Sequence, residues 1–411
     1  MGSPALAQSA GNADYQTFFG NTVCNMPSGL FLDRCGETFD PSKPDGDPDQ
    51  YANISGDSES SLNPSQTSVA ASNALAKAQA LAAETEKRLE GLRDEDNGKP
   101  GAGSDKIAGF GPWSVFANFQ GEWFDQSRPA YSNERGYDGD RYGGTIGADY
   151  RIGTTSHVGL MLAYEKYSMT FDQELPGVNF VPQDNAGGTK SKTFTATVFA
   201  SFSLSDSAWL DASAGLGWSD NDFRRNAVFQ PSTPHAVARG ERLAPADGKQ
   251  AFASIGVGYD YADGPLSIGP YVRGRYTHSE VDAYSETDLN NTGLAMNVGK
   301  QKATSLAGIL GVRSSYAIGA SWGVVVPQIR LEYEHEFEDD PRTTLTSFVL
   351  DPNNLQFPIV NDAPDRNYFN AGIGLLFVLP NGVMPYIDYE ALLGYSNFDR
   401  HRVTAGIRFE L

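Results

Sequence analysis

The last eight residues of the chain, Thr404-Ala405-Gly406-Ile407-Arg408-Phe409-Glu410-Leu411, decide how it folds. Side chains along an extended segment point alternately to opposite sides. Here one face is apolar, with Ala405, Ile407, Phe409 and Leu411, and the other face carries the polar residues. A chain that stops on such a strand leaves an unpaired edge, and an unpaired edge invites aggregation. A closed barrel removes the edge, because its last strand pairs with its first.

The same period of two runs from Phe110 to the end of the chain. Twelve segments follow it, near residues 113–125, 141–153, 156–171, 191–205, 208–221, 249–262, 266–284, 302–317, 321–338, 367–379, 382–396 and 399–411. Their polar faces are too polar for the core of a soluble sandwich, and their apolar faces are too continuous for water. Lipid outside and water inside satisfy both faces. Residues 109–411 are therefore predicted to form an all-β transmembrane fold, a closed antiparallel β-barrel of about 12 strands.

The composition agrees with this interpretation. No run of about 18 apolar residues exists, so the sequence offers no candidate transmembrane helix. The mean hydropathy of −0.39 does not exclude a barrel, because only alternate strand residues face lipid. The formal net charge of −20 argues against nucleic-acid binding.

The connections between the segments alternate in length. Short turns are predicted at 153–155, 206–207, 263–265, 318–320 and 380–382, and the longest connections near 222–248 and 339–366. Outer-membrane barrels have tight periplasmic turns and long external loops. An even strand number then puts both ends of the barrel on the periplasmic side.

Aromatic residues collect near the segment ends, as in the girdles that flank the lipid-facing band of such barrels. The predicted girdle residues are Trp113, Trp123, Tyr142, Tyr150, Trp218, Tyr259, Tyr261, Tyr276, Tyr386 and Tyr395.

Residues 66–96 have a different composition, rich in Ala, Leu, Glu, Lys and Arg and free of proline, which favours a helix. At 1.5 Å per residue, the roughly 28 helical residues from about Ser68 to Asp96 reach roughly 42 Å, more than the roughly 30 Å of hydrocarbon. It lacks a broad apolar stripe, so we expect it to lie in a narrow polar tube; a solvated connector is the alternative. Glycines such as Gly215, Gly256 and Gly372 are expected to face the lumen and leave room for it. Residues 97–108 form the predicted linker to the first strand.

Residues 1–65 are rich in Pro, Gly, Asn and Ser and are predicted to be a loop-rich segment. Cys24 and Cys35 are the only cysteines, and in an exported chain two cysteines this close are expected to form one local disulfide. Two free thiols or a metal pair are the alternatives, although no His lies nearby.

With these parts in place, residues 65–411 resemble the C-terminal translocator of autotransporters, the proteins of type V secretion. Such translocators have twelve strands and a helix threaded through the pore just before the first strand. The resemblance rests on the order of loose motifs: the Ala-rich helix, Gly143-Gly144-x-x-Gly147, Gly269-Pro270-Tyr271, Glu334-His335-Glu336-Phe337 and the terminal Gly406-x-x-Phe409. It implies a Gram-negative outer-membrane location, with the N-terminal segment exported to the cell surface.

The resemblance also implies partners. The terminal residues Thr404, Gly406, Phe409 and Leu411 resemble the signal read by the barrel-assembly machinery, although Leu411 stands where the family usually has an aromatic residue. Periplasmic chaperones and outer-membrane lipid or lipopolysaccharide are the other expected partners of a monomeric barrel.

Charged residues on the polar strand faces are predicted to line the lumen and to pair with helix charges, so that the helix plugs the tube. The predicted lumen charges are Arg273, Arg275, Arg313, Arg330, Glu332, Glu334, Asp388, Glu390, Arg402 and Arg408. The predicted helix partners are Lys77, Glu84, Lys87, Arg88 and Glu90.

The sequence suggests no catalytic, cofactor or metal site, and we expect no enzyme activity. His335, between two glutamates, is expected to lie at the outer rim rather than in an acid/base site. Asn73 is either a solvated helix residue or an autocleavage residue. The rival functions are a twelve-stranded porin or channel and, with less support, a barrel-borne surface hydrolase.

Overall fold

The computed structural model describes Phe18, Phe19, Thr22 and residues 62–96, 112–127, 134–153, 155–174, 181–229, 238–380 and 383–410. Cys24, Cys35, Leu411 and the linker 97–108 lie outside the described residues. The disulfide therefore stays a prediction.

Twelve strands form the barrel. They are β1 Trp113–Gln126, β2 Tyr137–Ile152, β3 Ser156–Phe171, β4 Gly187–Ser203, β5 Ala208–Phe229, β6 Ala238–Tyr259, β7 Leu266–Val281, β8 Gln301–Tyr316, β9 Gly323–Glu336, β10 Asn367–Val378, β11 Val383–Leu393 and β12 Phe398–Glu410. Each strand pairs antiparallel with its neighbours in sequence. The ring closes where β1 pairs with β12, from Ser114 opposite Glu410 to Gln126 opposite Phe398. The predicted closed 12-stranded barrel is confirmed.

The barrel is apolar outside and polar inside. Each strand exposes at least one large apolar side chain on its outer face: Phe119, Ile146, Leu160, Val198, Leu216, Ile255, Val272, Leu310, Ile329, Ile373, Ile387 and Phe409. Charged side chains such as Arg141 and Glu165 are instead 1% exposed, inside the ring. This distribution matches the lipid-facing band and wet interior of a transmembrane barrel. No helix among the described residues is both long and apolar enough to cross a bilayer.

Aromatic side chains flank the band at two levels, with Trp113 and Tyr259 toward the short turns and Trp123 and Trp218 toward the long connections. The prediction was wrong for Tyr386, which lines the lumen beside Asp388, and for Tyr395, which lines the long-connection mouth of the lumen and packs on Tyr368 at a centroid distance of 5.3 Å. The period of two puts residues 386, 388 and 390 on one face, so Tyr386 faces inward with the charges.

The long connections contain more strand than the sequence predicts. The connection predicted at 222–248 is mostly paired backbone, because β5 and β6 continue side by side as far as Phe229 and Ala238. Four short strands beyond the barrel form a second sheet, in the order Phe357–Val360, Thr343–Phe348, Met296–Val298, Tyr284–Ser285. We call this sheet, together with Phe18, Phe19 and Leu62, the cap.

The cap has an ordinary apolar core. Its cluster consists of Phe19, Leu62, Ala227, Phe229, Leu294, Met296, Phe348, Phe357 and Ile359. Phe18 stacks on Phe348 at a centroid distance of 5.8 Å, and Phe19 lies 5.8 Å from Phe229. Two residues far upstream of the barrel therefore pack against the connections at its long-loop end.

One helix, α1 Ala70–Asp96, lies within the ring and follows a short 3-10 turn, Ser65–Thr67. Gln301, at the start of β8, donates a 2.7 Å hydrogen bond to the Thr67 carbonyl, and Arg313, near the end of β8, donates at 3.3 Å to the Glu90 carbonyl. The helix therefore runs along β8 from the long-connection end of the barrel to the short-turn end.

Candidate functional site: a charged lumen that contains a helix

The helix lies off-centre in the lumen, against β6, β7 and β8. A cavity of about 130 Å³ remains beside its C-terminal half, lined by Arg330, Asp388 and Arg408. A second cavity of about 340 Å³ opens beside its N-terminal half, at the long-connection end, with Lys77 and Arg400 in its lining. The helix thus fills one side of the tube and leaves polar space along β9 to β12.

Glu86 is the most tightly held charge of the helix. Arg273 donates to its carboxylate at 3.2 Å, and Arg275 donates to both carboxylate oxygens at 3.1 and 2.5 Å. Arg275 also reaches Glu334 at 3.2 Å. All four side chains are buried. Removing one partner of a buried ion pair leaves an uncompensated charge, so this cluster fixes the position of the helix against β7 and β9.

Three further helix charges follow Glu86 within about one turn toward the short-turn end. Lys87 forms an ion pair with Asp388 on β11, and Arg88 forms one with Asp149 on β2. The Glu90 carboxylate lies 3.5 Å from Arg330 on β9. Because consecutive helix residues point about 100° apart, these pairs contact different walls and hold the helix around its circumference.

The N-terminal half of the helix makes mostly uncharged contacts. The Lys77 ammonium donates to the Ser191 hydroxyl at 2.7 Å, and Ser279 donates to the Ala71 carbonyl at 2.8 Å. Small residues such as Ala74 and Ala78 are buried, which lets the helix backbone approach the wall closely. The helix is therefore packed tightly at one end and ion-paired at the other.

The lumen also contains an apolar patch that was not predicted from the sequence. Its members are Leu81, Ala82, Leu89, Leu92, Phe116, Met161, Ala163, Phe199 and Phe252. The expectation that lumen glycines leave room for the helix was wrong for Gly215, where an added Cβ would lie 2.3 Å from the Phe252 ring. The inward aromatic ring occupies the glycine's space, and leucines of the helix then pack on the aromatic surface.

The predicted lumen charges project inward, and they divide into two sets. Arg273, Arg275, Arg313 and Arg330 contact the helix as described. Arg402 instead donates to Glu122 on β1 at 2.9 Å and lies 3.4 Å from Glu390. Arg408 donates to Ser114 at 3.1 Å. These last contacts join β12 to β1 and β11, so they tie the closing strands together.

The structure gives the other predicted helix residues different partners. Glu84 accepts a 2.7 Å hydrogen bond from Asn118 on β1, instead of forming an ion pair with one of the predicted lumen charges. On the wall, Glu332 accepts from the Tyr271 hydroxyl at 2.6 Å.

Several residues of the charged network were missed from the sequence. The set comprises Glu86, Glu122, Arg141, Asp149 and Glu165. The four strand residues share the polar faces of β1 to β3, so the period of two already contained the signal. Glu86 had no such signal, because a helix surrounded by walls has no face that a period can distinguish.

The mouth of the barrel at the long-connection end contains groups whose burial shifts their pKa values. Burial raises the pKa of the Glu134 carboxyl, which accepts hydrogen bonds from Gln126 and Asn361 at 2.8 Å. Burial lowers the pKa of Arg342, which donates to the Ser72 hydroxyl at 2.9 Å. Burial also raises the pKa of Tyr395 to about 12. These side chains join the connections around the N-terminal half of the helix.

The residues considered for catalysis, cleavage or metal binding make contacts that hold the fold together. His335 lies on the outer face near Phe337, with its Nδ1 2.8 Å from the Asn367 side-chain oxygen. Asn73 is buried rather than solvated, and it donates to the Met169 sulfur at 3.4 Å. Among the described residues no group of three His, Cys, Asp or Glu could hold a metal ion. In the terminal strand Thr404 faces inward, Phe409 faces outward, and a Cβ at Gly406 would lie 2.5 Å from the Tyr386 ring.

Comparison with known proteins agrees with this architecture. Residues 115–390 match the family model of the autotransporter beta-domain. No curated protein matches the chain. The fold is similar to the translocator domain of autotransporter NalP from Neisseria meningitidis, with a TM-score of 0.57 at 14% identity, over 82% of this chain and 98% of that one. The beta domain of the Bordetella autotransporter Brka has a TM-score of 0.48 at 17% identity, over 73% of this chain and 100% of that one.

Proposed function

Because the chain belongs to the autotransporter β-domain family, we propose that this outer-membrane translocator exports its own N-terminal segment and anchors it at the cell surface. The observation that carries the proposal is the direction of α1, whose N-terminal end lies at the long connections and whose C-terminal end lies at the short turns. A segment upstream of the helix then leaves the barrel on the long-connection side, which is external in outer-membrane barrels.

The cap supports the same direction. Phe18 and Phe19 pack against Phe348 and Phe229, which lie in or beside the long connections. The exported segment therefore remains bound to the loops of its own barrel after passage. The predicted disulfide between Cys24 and Cys35 follows these phenylalanines closely and would form outside the cell, where oxidation is possible.

We further propose that the helix plugs the pore once export is complete. Its ion pairs with β2, β7, β9 and β11 support this role, because such contacts must all break before the helix can slide. No nucleotide is needed in this scheme, since folding of the barrel and of the exported segment supplies the free energy. Assembly by the barrel-assembly machinery, with help from periplasmic chaperones, gives a monomer in the lipid bilayer.

Surface labelling of intact cells tests the export step. After mild reduction, a thiol reagent that cannot cross membranes is expected to label Cys24 and Cys35. In a C24S/C35S background, Asp206→Cys in the short turn between β4 and β5 is the matched control, and it should react only after the outer membrane is permeabilised. Labelling of Cys24 and Cys35 that also requires permeabilisation would contradict the proposal.

A twelve-stranded channel is the second candidate. The cavities of about 130 and 340 Å³ beside the helix favour it, because they leave polar space along one wall. This function requires a continuous open conductance with the helix in place, whereas the plug requires that conductance rise only when the helix contacts are broken.

A further inference from the structure

The outer surface of the barrel carries a cluster of lysines that the translocator function does not use. Lys166 on β3 and Lys192 on β4 lie directly opposite each other in the antiparallel register, and Lys190 lies two residues further along β4 on the same face. All three side chains are exposed. Directly opposed like charges destabilise a strand pair. The fold retains this repulsion on the outside of an otherwise acidic chain.

None of the three lysines is neutralised within the protein. Among the described residues, no carboxylate lies within the 4.0 Å of an ion pair from Lys166, Lys190 or Lys192. A second lysine cluster, further around the barrel at β7 and the start of β8, provides a contrast, because Lys300 and Lys302 lie 2.6 and 3.1 Å from Glu280. The β3–β4 lysines thus keep their charges available to a ligand outside the barrel.

The level of these lysines on the barrel identifies the kind of ligand. Lys166 lies opposite the girdle residue Tyr142, and the next outward pair toward the bilayer centre is Tyr164 opposite Phe194. Tyr164 and Phe194 are 46% and 45% exposed, as expected for side chains in contact with lipid. Ammonium groups just outside such aromatics lie at the depth of lipid headgroups, on the long-connection side of the barrel.

The acidic residues on the outer face further restrict the kind of ligand that these lysines can bind. Asp220 and Asp222 on β5 lie opposite Lys192 and Lys190 in the register without forming ion pairs with them. On the other side of the barrel, Asp125 lies opposite both Asp399 and Asp138. The outer rim is therefore divided into a lysine-bearing sector at β3–β4 and an acidic sector at β12–β1–β2. An anionic headgroup is attracted by the ammonium groups of the first sector and repelled by the carboxylates of the second.

We propose that Lys166, Lys190 and Lys192 bind the phosphate groups of a phosphorylated glycolipid in the outer leaflet, while Tyr164 and Phe194 contact its acyl chains. This inference rests on the proposed orientation, with the long connections outside the cell. The bound lipid would fix the rotation and depth of the barrel in the membrane.

Native mass spectrometry of the full chain tests the site. The probe is a diphosphorylated disaccharide glycolipid, compared with its dephosphorylated form. At about fivefold in affinity for each lysine near a charged lipid surface, K166Q/K192Q should weaken binding of the phosphorylated probe about 30-fold. The matched variant K300Q/K302Q removes the same charge from ion-paired lysines and should change affinity by no more than about twofold.

Equal weakening in both variants would reduce the effect to overall charge and overturn the proposal. Equal binding of the two probes by the unmodified protein would also overturn it. Both variants alter only outward side chains, so surface labelling of Cys24 and Cys35 should stay unchanged. A failure of that labelling counts against export and leaves the lipid measurement standing.

Discussion

The barrel and the cap belong to one chain, but they bury opposite kinds of side chain. In the barrel Leu310 is 59% exposed, while Arg273 is buried. In the cap Phe348 is 1% exposed and packs in an apolar cluster. Both are antiparallel sheets with a period of two, so the backbone does not cause the difference. The solvent does, because lipid surrounds the barrel and water surrounds the cap.

The boundary between the barrel and the cap lies within a single strand, β5, whose two faces change character along its length. The outer face of β5 changes from Leu216 and Trp218 to Asp220 and Asp222 as the strand leaves the girdle. Its inner face changes from Ser219 and Asn221 to Ala227 and Phe229 as it enters the cap. A single continuous strand therefore inverts its pattern where its surroundings change from lipid to water.

The largest effect is expected from removing a buried aromatic side chain from the cap core. Phe348→Ala should cost the cap about 3–5 kcal/mol, because it removes a buried ring and leaves a cavity. Hydrogen exchange at Met296–Val298, which pairs with the Phe348 strand, measures the loss. The neighbouring Val349→Ala, at a side chain that is 41% exposed, is the control. Equal acceleration in both variants would mean that the cap has no cooperative core.

A second substitution separates lipid exposure from water exposure. Leu310→Arg puts a charge on the lipid-facing band and should destabilise the barrel by about 2–4 kcal/mol. Leu345→Arg puts the same charge on the cap, where Leu345 is 45% exposed, and should change stability by less than about 0.5 kcal/mol. Urea unfolding in lipid vesicles compares them. If the two arginines are tolerated equally, the outer face of β8 does not contact lipid.

The smallest effect is expected from pH at the long-connection mouth of the barrel. Burial raises the pKa of Glu134, so the fold around this carboxyl is most stable when it is protonated, even though the hydrogen bond donated by Asn361 favours the charged form. The contribution is complete below the ordinary pKa of 4.5 and is lost as pH rises through the higher value in the folded protein. Hydrogen exchange at residues 357–362 should therefore speed up with pH beyond its intrinsic dependence. Glu134→Gln should abolish that excess, and an unchanged excess would contradict the assignment.

The barrel could be predicted from sequence because its signal repeats. A period of two over twelve segments leaves one solution that satisfies both faces, and the pairing of β1 with β12 follows from closure. The ends of β5 and β6 could not be placed, because their pattern inverts at the cap. When the same apolar-out, polar-in pattern is assumed for the whole strand, the part with the opposite pattern is predicted to be a loop.

The cap could not be predicted for a second reason. Its strands are two to six residues long, too short for periodicity to distinguish them from loop. Its core joins Phe19 to Phe348 across more than three hundred residues, and no local rule connects such positions. The lumen charges could be predicted in part. The alternation of strand residues located Arg330 and Asp388, whereas no pattern distinguished Glu86 on the helix.

Single-channel conductance across planar bilayers tests the central claim, that ion pairs hold the helix as a plug. Lys87→Glu opposes Asp388 with a like charge and should raise the conductance above that of the unmodified protein. Asp388→Lys should do the same, and K87E/D388K should restore the low conductance because it re-forms the pair with reversed polarity. A high conductance in the unmodified protein, or a double variant as open as the two single variants, would contradict the account.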